Sequence, residues 1–376
     1  MIQFCSRLVQ TPSLSGDEGE VAGLIRDEMN SLGFDRTWID GAGNVGGLIR
    51  GSGAGPVVVL EGHMDTAPPG RVGEWRVDPF SGEVRDGWLF GRGSVDMKGA
   101  IAAMVHSAPL LDSLDADVYM AFVVHEEDQE GFGIRMFLEE AGIRPDLVVL
   151  GEATRLNVAV GHRGRVEIRL SAGGRTAHSS MPDLGDSALY KLVEALVRLR
   201  EISCELPEHE VLGRSSVAPV AIRCSPGVIP VIPDACEALL DYRMVPDETL
   251  ESILSRMRLL RPGVEASVVT KTIRCYTGLE DRVRAYFPAW YMPSDFASLL
   301  ARELGGDLVT WRFGTDGSYT AGEAGILTVG YGPGDETLAH RPNERVRVAD
   351  LRAAAEGYAR IVRLAETHLP KGSGRS

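Results

Sequence analysis

The apolar positions of this chain follow two patterns, and the change from one to the other divides it. Up to about residue 160 they come as short uninterrupted runs rich in β-branched residues: Val45 to Ile49, Val57 to Leu60, Asp117 to Val124 and Leu147 to Leu150. Such runs predict strands covered on both faces. Helical spacing separates them. Val21, Leu24, Ile25, Met29 and Leu32 recur after Ser15-Gly16-Asp17-Glu18, which resembles a capping box, until Gly33 ends the run. Ala100 to Leu111 and Gly133 to Glu140 predict two further helices.

From Arg165 the runs give way to alternation. Val166, Ile168 and Leu170 mark a strand with one exposed face, and Leu189, Leu192, Val193, Leu196 and Leu199 an amphipathic helix. Strands follow at Val217 to Arg223 and Cys236 to Arg243, then a helix from Thr249 to Leu260 that Asp247 can cap, then a strand through Val264 to Ile273. Strand, helix, strand, strand, helix, strand is the order of a ferredoxin-like unit. The first pattern then returns, with a helix at Ser294 to Leu304, a strand at Ile326 to Gly330 and a closing helix at Leu351 to Thr367. The prediction is an α/β domain of residues 1–164 and 276–376, a mixed sheet with helices on both faces, carrying an inserted ferredoxin-like α+β domain of residues 165–275.

Composition narrows the function classes. The length, 376 residues, exceeds one typical core. Lys and Arg number 39 against 53 Asp and Glu, and the net charge of -14 opposes nonspecific nucleic-acid binding. No apolar stretch approaches a membrane span, and Met1 to Gly16 lacks the pattern of a secretion signal, so a cytoplasmic protein is expected. Cys5, Cys204, Cys224, Cys236 and Cys275 are scattered and form no Cys-x-x-Cys pair. They read as buried thiols in a reducing compartment. Lys371 to Ser376 reads as a plain polar end.

The candidate chemistry stands at strand ends. In open α/β sheets ligands bind beyond the carboxyl ends of the strands. Here those ends release His63-Met64-Asp65, Glu126-Glu127 and Glu152, while Asp96 stands at the mouth of a helix. Taken singly, each has an ordinary explanation: a capped turn, a solvated acidic loop, a helix N-cap. Three buried strands ending alike, with Asp96 between them, make a pattern. Imidazole and carboxylates are donors for zinc, cobalt or manganese, not a thiolate site. His340, in a glycine-rich loop, is the last candidate. Gly91-Arg92-Gly93 lacks the spacing of a phosphate loop, and no Gly-x-Gly-x-x-Gly turn follows a first strand, so nucleotide binding is not expected.

The ordered motifs Glu61-Gly62-His63-Met64-Asp65, Gly91 to Gly99, Glu126-Glu127, Gly151-Glu152 and Ala339-His340-Arg341-Pro342-Asn343-Glu344 resemble the M20 metallopeptidase family. That family includes acetylornithine deacetylase, succinyl-diaminopimelate desuccinylase, aminoacylase and glutamate carboxypeptidase, and the similarity runs over almost the whole chain. The resemblance implies two divalent cations, usually zinc, with cobalt or manganese as alternatives. His63 and Glu152 would hold one, Glu127 and His340 the other, and Asp96 would bridge them. Two cations roughly 3.5 to 4 Å apart need such a shared anion. Asp65 would orient His63, and Glu126 would deprotonate a metal-bridging water and pass the proton to the leaving amine. A cis Asp96-Met97 peptide is implied as well. In the insert, His178 of Arg175 to Ser180 would steady the oxyanion, commonly in a partner's site, which implies a homodimer and makes the insert a lid and dimerisation domain. Arg243 would receive a substrate carboxylate, its alternative being a salt bridge along the strand. Gly314-Thr315-Asp316-Gly317-Ser318 resembles the substrate loop, and Gly332-Pro333-Gly334 a hinge-like loop before His340.

Two positions depart from the family pattern. Pro230 and Ser187 stand where many relatives have Asn, and proline cannot donate a hydrogen bond. The implied activity is hydrolysis of the amide bond in a small N-acyl amino acid, acetylornithine or a similar N-acyl diamino acid leading, with a dipeptidase or carboxypeptidase as the rival. A noncatalytic scaffold would have lost Glu126 or a ligand, and neither is lost.

Overall fold

A computed structural model describes residues 1–370 of the chain, and the polar end expected at Lys371 to Ser376 lies outside the described residues. The chain divides into two compact units. One comprises residues 1–161, Ile273–Asp281 and the chain from Tyr291 on, and the other His162–Thr272 with Arg282–Trp290.

The first unit is built on a mixed sheet. Six of its nine strands among the described residues lie in the order Arg36–Ile39, Val45–Ile49, Asp117–Val123, Val57–His63, Leu147–Leu150, Thr328–Gly330. The last four run parallel, and the first two are antiparallel. All seven residues of Val57–His63 and all four of Leu147–Leu150 are buried, which explains their unbroken apolar runs. The register pairs His63 with Val123 and Glu61 with Leu150. The three central strands therefore stop at nearly one level, and whatever follows each is delivered to a common rim. Among the described residues no helix is long and apolar enough to cross a membrane.

The second unit is an antiparallel sheet ordered Ser216–Ser225, Ala235–Met244, Gly164–Gly173, Val264–Val268, with helices Ala188–Ile202 and Leu250–Arg258. Val166, Ile168 and Leu170 face Leu192, Leu199, Ile253 and Met257 in its core. The predicted boundaries shift for a visible reason. Tyr286 and Phe287 pair with Val166 and Arg165, which places Arg282–Trp290 in this unit. Between them and Thr272, Tyr276 Oη donates to the Gly43 carbonyl at 2.9 Å and Thr277 Oγ1 to that of Gly41 at 2.8 Å, which keeps Ile273–Asp281 in the first unit.

Several local expectations are corrected. The helix at Gly19–Ser31 has no side-chain cap, because Ser15 Oγ donates instead to Asp65 Oδ2 at 2.6 Å. The predicted Ala100 to Leu111 helix is Lys98–Val105 and then a short 3-10 turn at Ala108–Leu110, since Pro109 cannot continue an α-helix. Thr249, not Asp247, caps Leu250–Arg258, through a reciprocal box with Ser252. The strand expected over Val264 to Ile273 is two strands, Val264–Val268 and Thr270–Arg274. Cys224 and Cys236 are not thiols: they are register partners on adjacent strands and form a disulfide with Cα atoms 4.1 Å apart. Among the other cysteines Cys5 and Cys275 are buried thiols and Cys204 is exposed.

Candidate metal centre

The rim of the first unit gathers the predicted donors. His63 ends its strand 1 % exposed, and Glu126, Glu127 and Glu152 follow the two flanking strands within a few residues. Gly62 and Gly151, each one residue before a donor, both make room for Met97: a Cβ on either would lie 2.6 Å from its ε-methyl, and one on Gly151 would also lie 2.5 Å from that of Met104. Met97 is wholly buried. The Asp96-Met97 peptide is cis; Met97 fills this notch, and Asp96 faces the donors.

Asp96 stands between two imidazoles. His63 Nε2 lies 2.9 Å from its Oδ1, and His340 Nε2 lies 2.9 Å from its Oδ2. His63 Nε2 is also 3.3 Å from Glu152 Oε1, and His340 Nε2 is 3.0 Å from Glu127 Oε2. Glu126 Oε2 is farther from His63 Nε2, at 4.0 Å. Donor atoms of His63, Asp96 and Glu127 converge within 4.8 Å of one another, as do those of His63, Glu126 and Glu152. Two imidazoles and four carboxylates at this separation suit one or two divalent cations of the zinc, cobalt or manganese type.

His63 Nδ1 meets the Asp65 main-chain carbonyl at 2.9 Å, while the carboxylate Oδ1 is 3.6 Å away. The carboxylate instead accepts the amides of Glu126 and Glu127, both at 3.1 Å, and the hydroxyl of Ser15. Asp65 thus orients the histidine through its backbone and holds the next strand's acidic pair through its side chain.

A peptidase family M20/M25/M40 model matches residues 59–364, which includes every one of these donors. The chain belongs to the M20 peptidase family. It is 35 % identical over 378 residues to the Escherichia coli (strain K12) protein YgeY, covering 96 % of this chain and 93 % of that protein. Its fold is similar to aminopeptidase PepT of Bacillus cereus, with TM-score 0.74, 19 % identity and 97 % of each chain covered. It is also similar to YXEP of Bacillus subtilis, described as a dinuclear metal-binding peptidase of the M20 family, with TM-score 0.71, 17 % identity and 98 % of each chain covered.

The electrostatics of this M20 centre are those of crowded acids relieved by two histidines. Hydrogen bonds to Asp96 and Glu127 push His340 up to about 10, against the effect of burial. Burial would lower His63, yet hydrogen bonds to Asp65, Asp96 and Glu152 raise it well above its ordinary value. Burial works to raise Asp96, but His340 and His63 hold it below the usual carboxylate range. Burial pushes Glu152 up to about 7, helped by the Asp96 charge. A cation at these nitrogens must displace their protons, so affinity rises with pH through the neutral range and on toward the raised histidine pKa values. Zinc titrated into metal-free protein is expected to release protons at neutral pH. Calorimetry in buffers of different ionisation enthalpy measures that release.

The residues expected at a substrate loop have internal partners here. Thr315 is fully buried, and its Oγ1 accepts the Gly317 amide at 3.1 Å. Asp316, 2 % exposed, takes the Gly131 amide, and the Glu61 carboxyl is raised well above its ordinary value by burial and by the Asp316 charge. Gly314 lies against the Glu130 carboxylate, and the Gly332 amide donates to Thr154 Oγ1 at 3.1 Å. In the second unit, His178 is exposed, with Nδ1 2.7 Å from Ser180 Oγ. The Arg243 guanidinium forks onto Asp241 at 2.8 and 3.0 Å, the salt-bridge alternative. Ser187 N-caps the Ala188–Ile202 helix, and Pro230, lacking an N–H, offers its carbonyl to the Ser179 amide at 2.8 Å. His106 pairs with Glu28, and His125 with Asp128 and the Arg274 carbonyl.

Proposed function

We propose that the chain is a metal-dependent amidohydrolase that cleaves a small N-acyl amino acid, with Glu126 as its proton carrier. The observation that carries this reading is Asp96 with one oxygen on each of two histidines, beside a buried carboxylate, Glu126, that stands apart from the closest pairs. Divalent cations held by His63, Glu152, Asp96, Glu127 and His340 would polarise the scissile carbonyl and acidify water. Burial raises Glu126 well above the ordinary carboxyl range, with Glu152 and Asp316 adding to the effect and His63 opposing it. A carboxylate so placed takes a proton from water readily and keeps it long enough to return it. The water oxygen joins the carbonyl carbon, the C–N bond breaks, and the proton taken by Glu126 leaves on the amine.

N-acetylornithine or a similar N-acyl diamino acid is the leading substrate class. The second reading is a dipeptidase or carboxypeptidase, favoured by a relative of 29 % identity named a probable carboxypeptidase. Amine release from a panel of N-acetyl and N-succinyl amino acids and dipeptides, with zinc, cobalt or manganese supplied, separates the two. Turnover of the acyl amino acids above the dipeptides is expected, and the reverse order replaces the first reading by the second.

A homodimer fits the surface of the second unit. Ser216–Ser225 is the edge strand of its sheet and exposes Val220 at 64 % and Ile222 at 50 %. An open apolar edge is a template for strand pairing with another chain, and an antiparallel pairing with its own copy is self-complementary. Light scattering is expected to give twice the 40.6 kDa chain mass. Val220→Lys together with Ile222→Lys should return the mass to that of one chain.

A further inference from the structure

We propose that Glu344 is a positioning residue of the metal centre, fixing the backbone from which Asp96 projects and locking it to the loop that carries His340. The inference rests on the metal-centre reading above. Glu344 is fully buried and Arg92 is 2 % exposed. Glu344 Oε1 accepts the amides of Val95 at 2.9 Å and Asp96 at 3.2 Å. Its Oε2 takes Arg92 Nη1 at 2.5 Å, while Arg92 Nη2 reaches the Pro68 carbonyl at 3.2 Å. The Gly91 amide donates to the main-chain carbonyl of Glu344 at 3.0 Å. One residue therefore holds both ends of the Gly91 to Asp96 loop.

The consequence for Asp96 is geometric. Its carboxylate contacts two histidines at 2.9 Å, one on each oxygen, and a small rotation of the backbone at Asp96 breaks one contact to keep the other. Glu344 fixes that rotation through the Asp96 amide itself. It also follows His340 by four positions, so the same anchor sets where His340 can stand. The two donor sets depend on it unequally. His63 and Glu152 are placed by the ends of adjacent strands, whereas His340 is placed by the Glu344 loop. Loss of Glu344 should therefore weaken the cation at His340 more than the one at His63 and Glu152. Overall destabilisation has no reason to discriminate in this way.

Glu344→Gln is the sharpest variant. It retains an oxygen for the two amides but turns an amide N–H₂ toward the Arg92 guanidinium, donor against donor, and leaves a buried cation unpaired. If that variant does not fold, Glu344→Asp is read in its place, because it keeps the ion pair and withdraws the carboxylate by one methylene. Zn²⁺ is titrated calorimetrically into metal-free wild type and variant, with thermal melts run on the same samples. Two Zn²⁺ per wild-type chain are expected, with one of the two weakened about 10–100-fold in the variant and the other affected less. Equal weakening of both, or no change in either, overturns the proposal. Wild type that binds fewer than two Zn²⁺ overturns the metal-centre reading itself, a separate failure visible before any variant is made.

Discussion

Glu126→Gln is expected to lower kcat by about 10²–10⁴-fold while the protein keeps the cations of the wild type. The substitution is nearly isosteric at a position 7 % exposed, and the main chain there is held independently, by the Glu126 amide on Asp65 Oδ1 at 3.1 Å. Glutamine cannot accept the water proton, so the chemical step fails while the scaffold stands. Metal content by elemental analysis and N-acetylornithine hydrolysis are measured on the same samples. The pairing of measurements matters because Glu126 also converges with His63 and Glu152 as a possible donor. A variant that loses metal together with turnover makes Glu126 a ligand and leaves the base to be found elsewhere.

Asp96→Asn should act the other way round, on the cations first. Asparagine fits the same space but brings one neutral oxygen and one N–H₂ in place of two charged oxygens, so only one of the two histidine-flanked positions keeps an acceptor. A pair of cations without a shared anion repel each other, and content is expected to fall from about two to about one or fewer per chain. Hydrolysis should fall with it. Retention of two cations in Asp96→Asn would show that Glu127 and Glu152 suffice and that Asp96 does not bridge.

What could be read from the amino acids alone was what depends on neighbours in sequence. Val57 to Leu60 and Leu147 to Leu150 are apolar throughout because both faces are covered, and their donors follow directly because parallel strands share one rim. Alternation at Val166, Ile168 and Leu170 marked the second unit for the same local reason. The misses are contacts between distant segments. Ser15 carries a capping signature, but a buried carboxylate fifty positions away outcompetes the helix end for its hydroxyl. Arg92 and Glu344, and Glu61 and Asp316, are charged or polar residues whose burial only the folded partner makes tolerable. Arg36–Ile39 is partly exposed along its whole length and shows neither run nor alternation. Cys224 and Cys236 are brought together by strand register, which their spacing does not reveal.

The interruption of the first unit by the second sets an order in time during synthesis. A growing chain has made His63, Asp96, Glu126, Glu127 and Glu152 before any residue of the second unit leaves the ribosome. Thr328–Gly330, the parallel neighbour of Leu147–Leu150, and His340 emerge only after it. Until then the early sheet has an open edge of the kind that invites wrong pairing, and a knot of acids with His63 as its lone imidazole counterweight. All the strands of the second unit are available by Trp290, so its core can close first. The candidate metal centre is thus completed only after the whole second unit has been made, and a chain stalled in between displays the unfinished sheet to its surroundings.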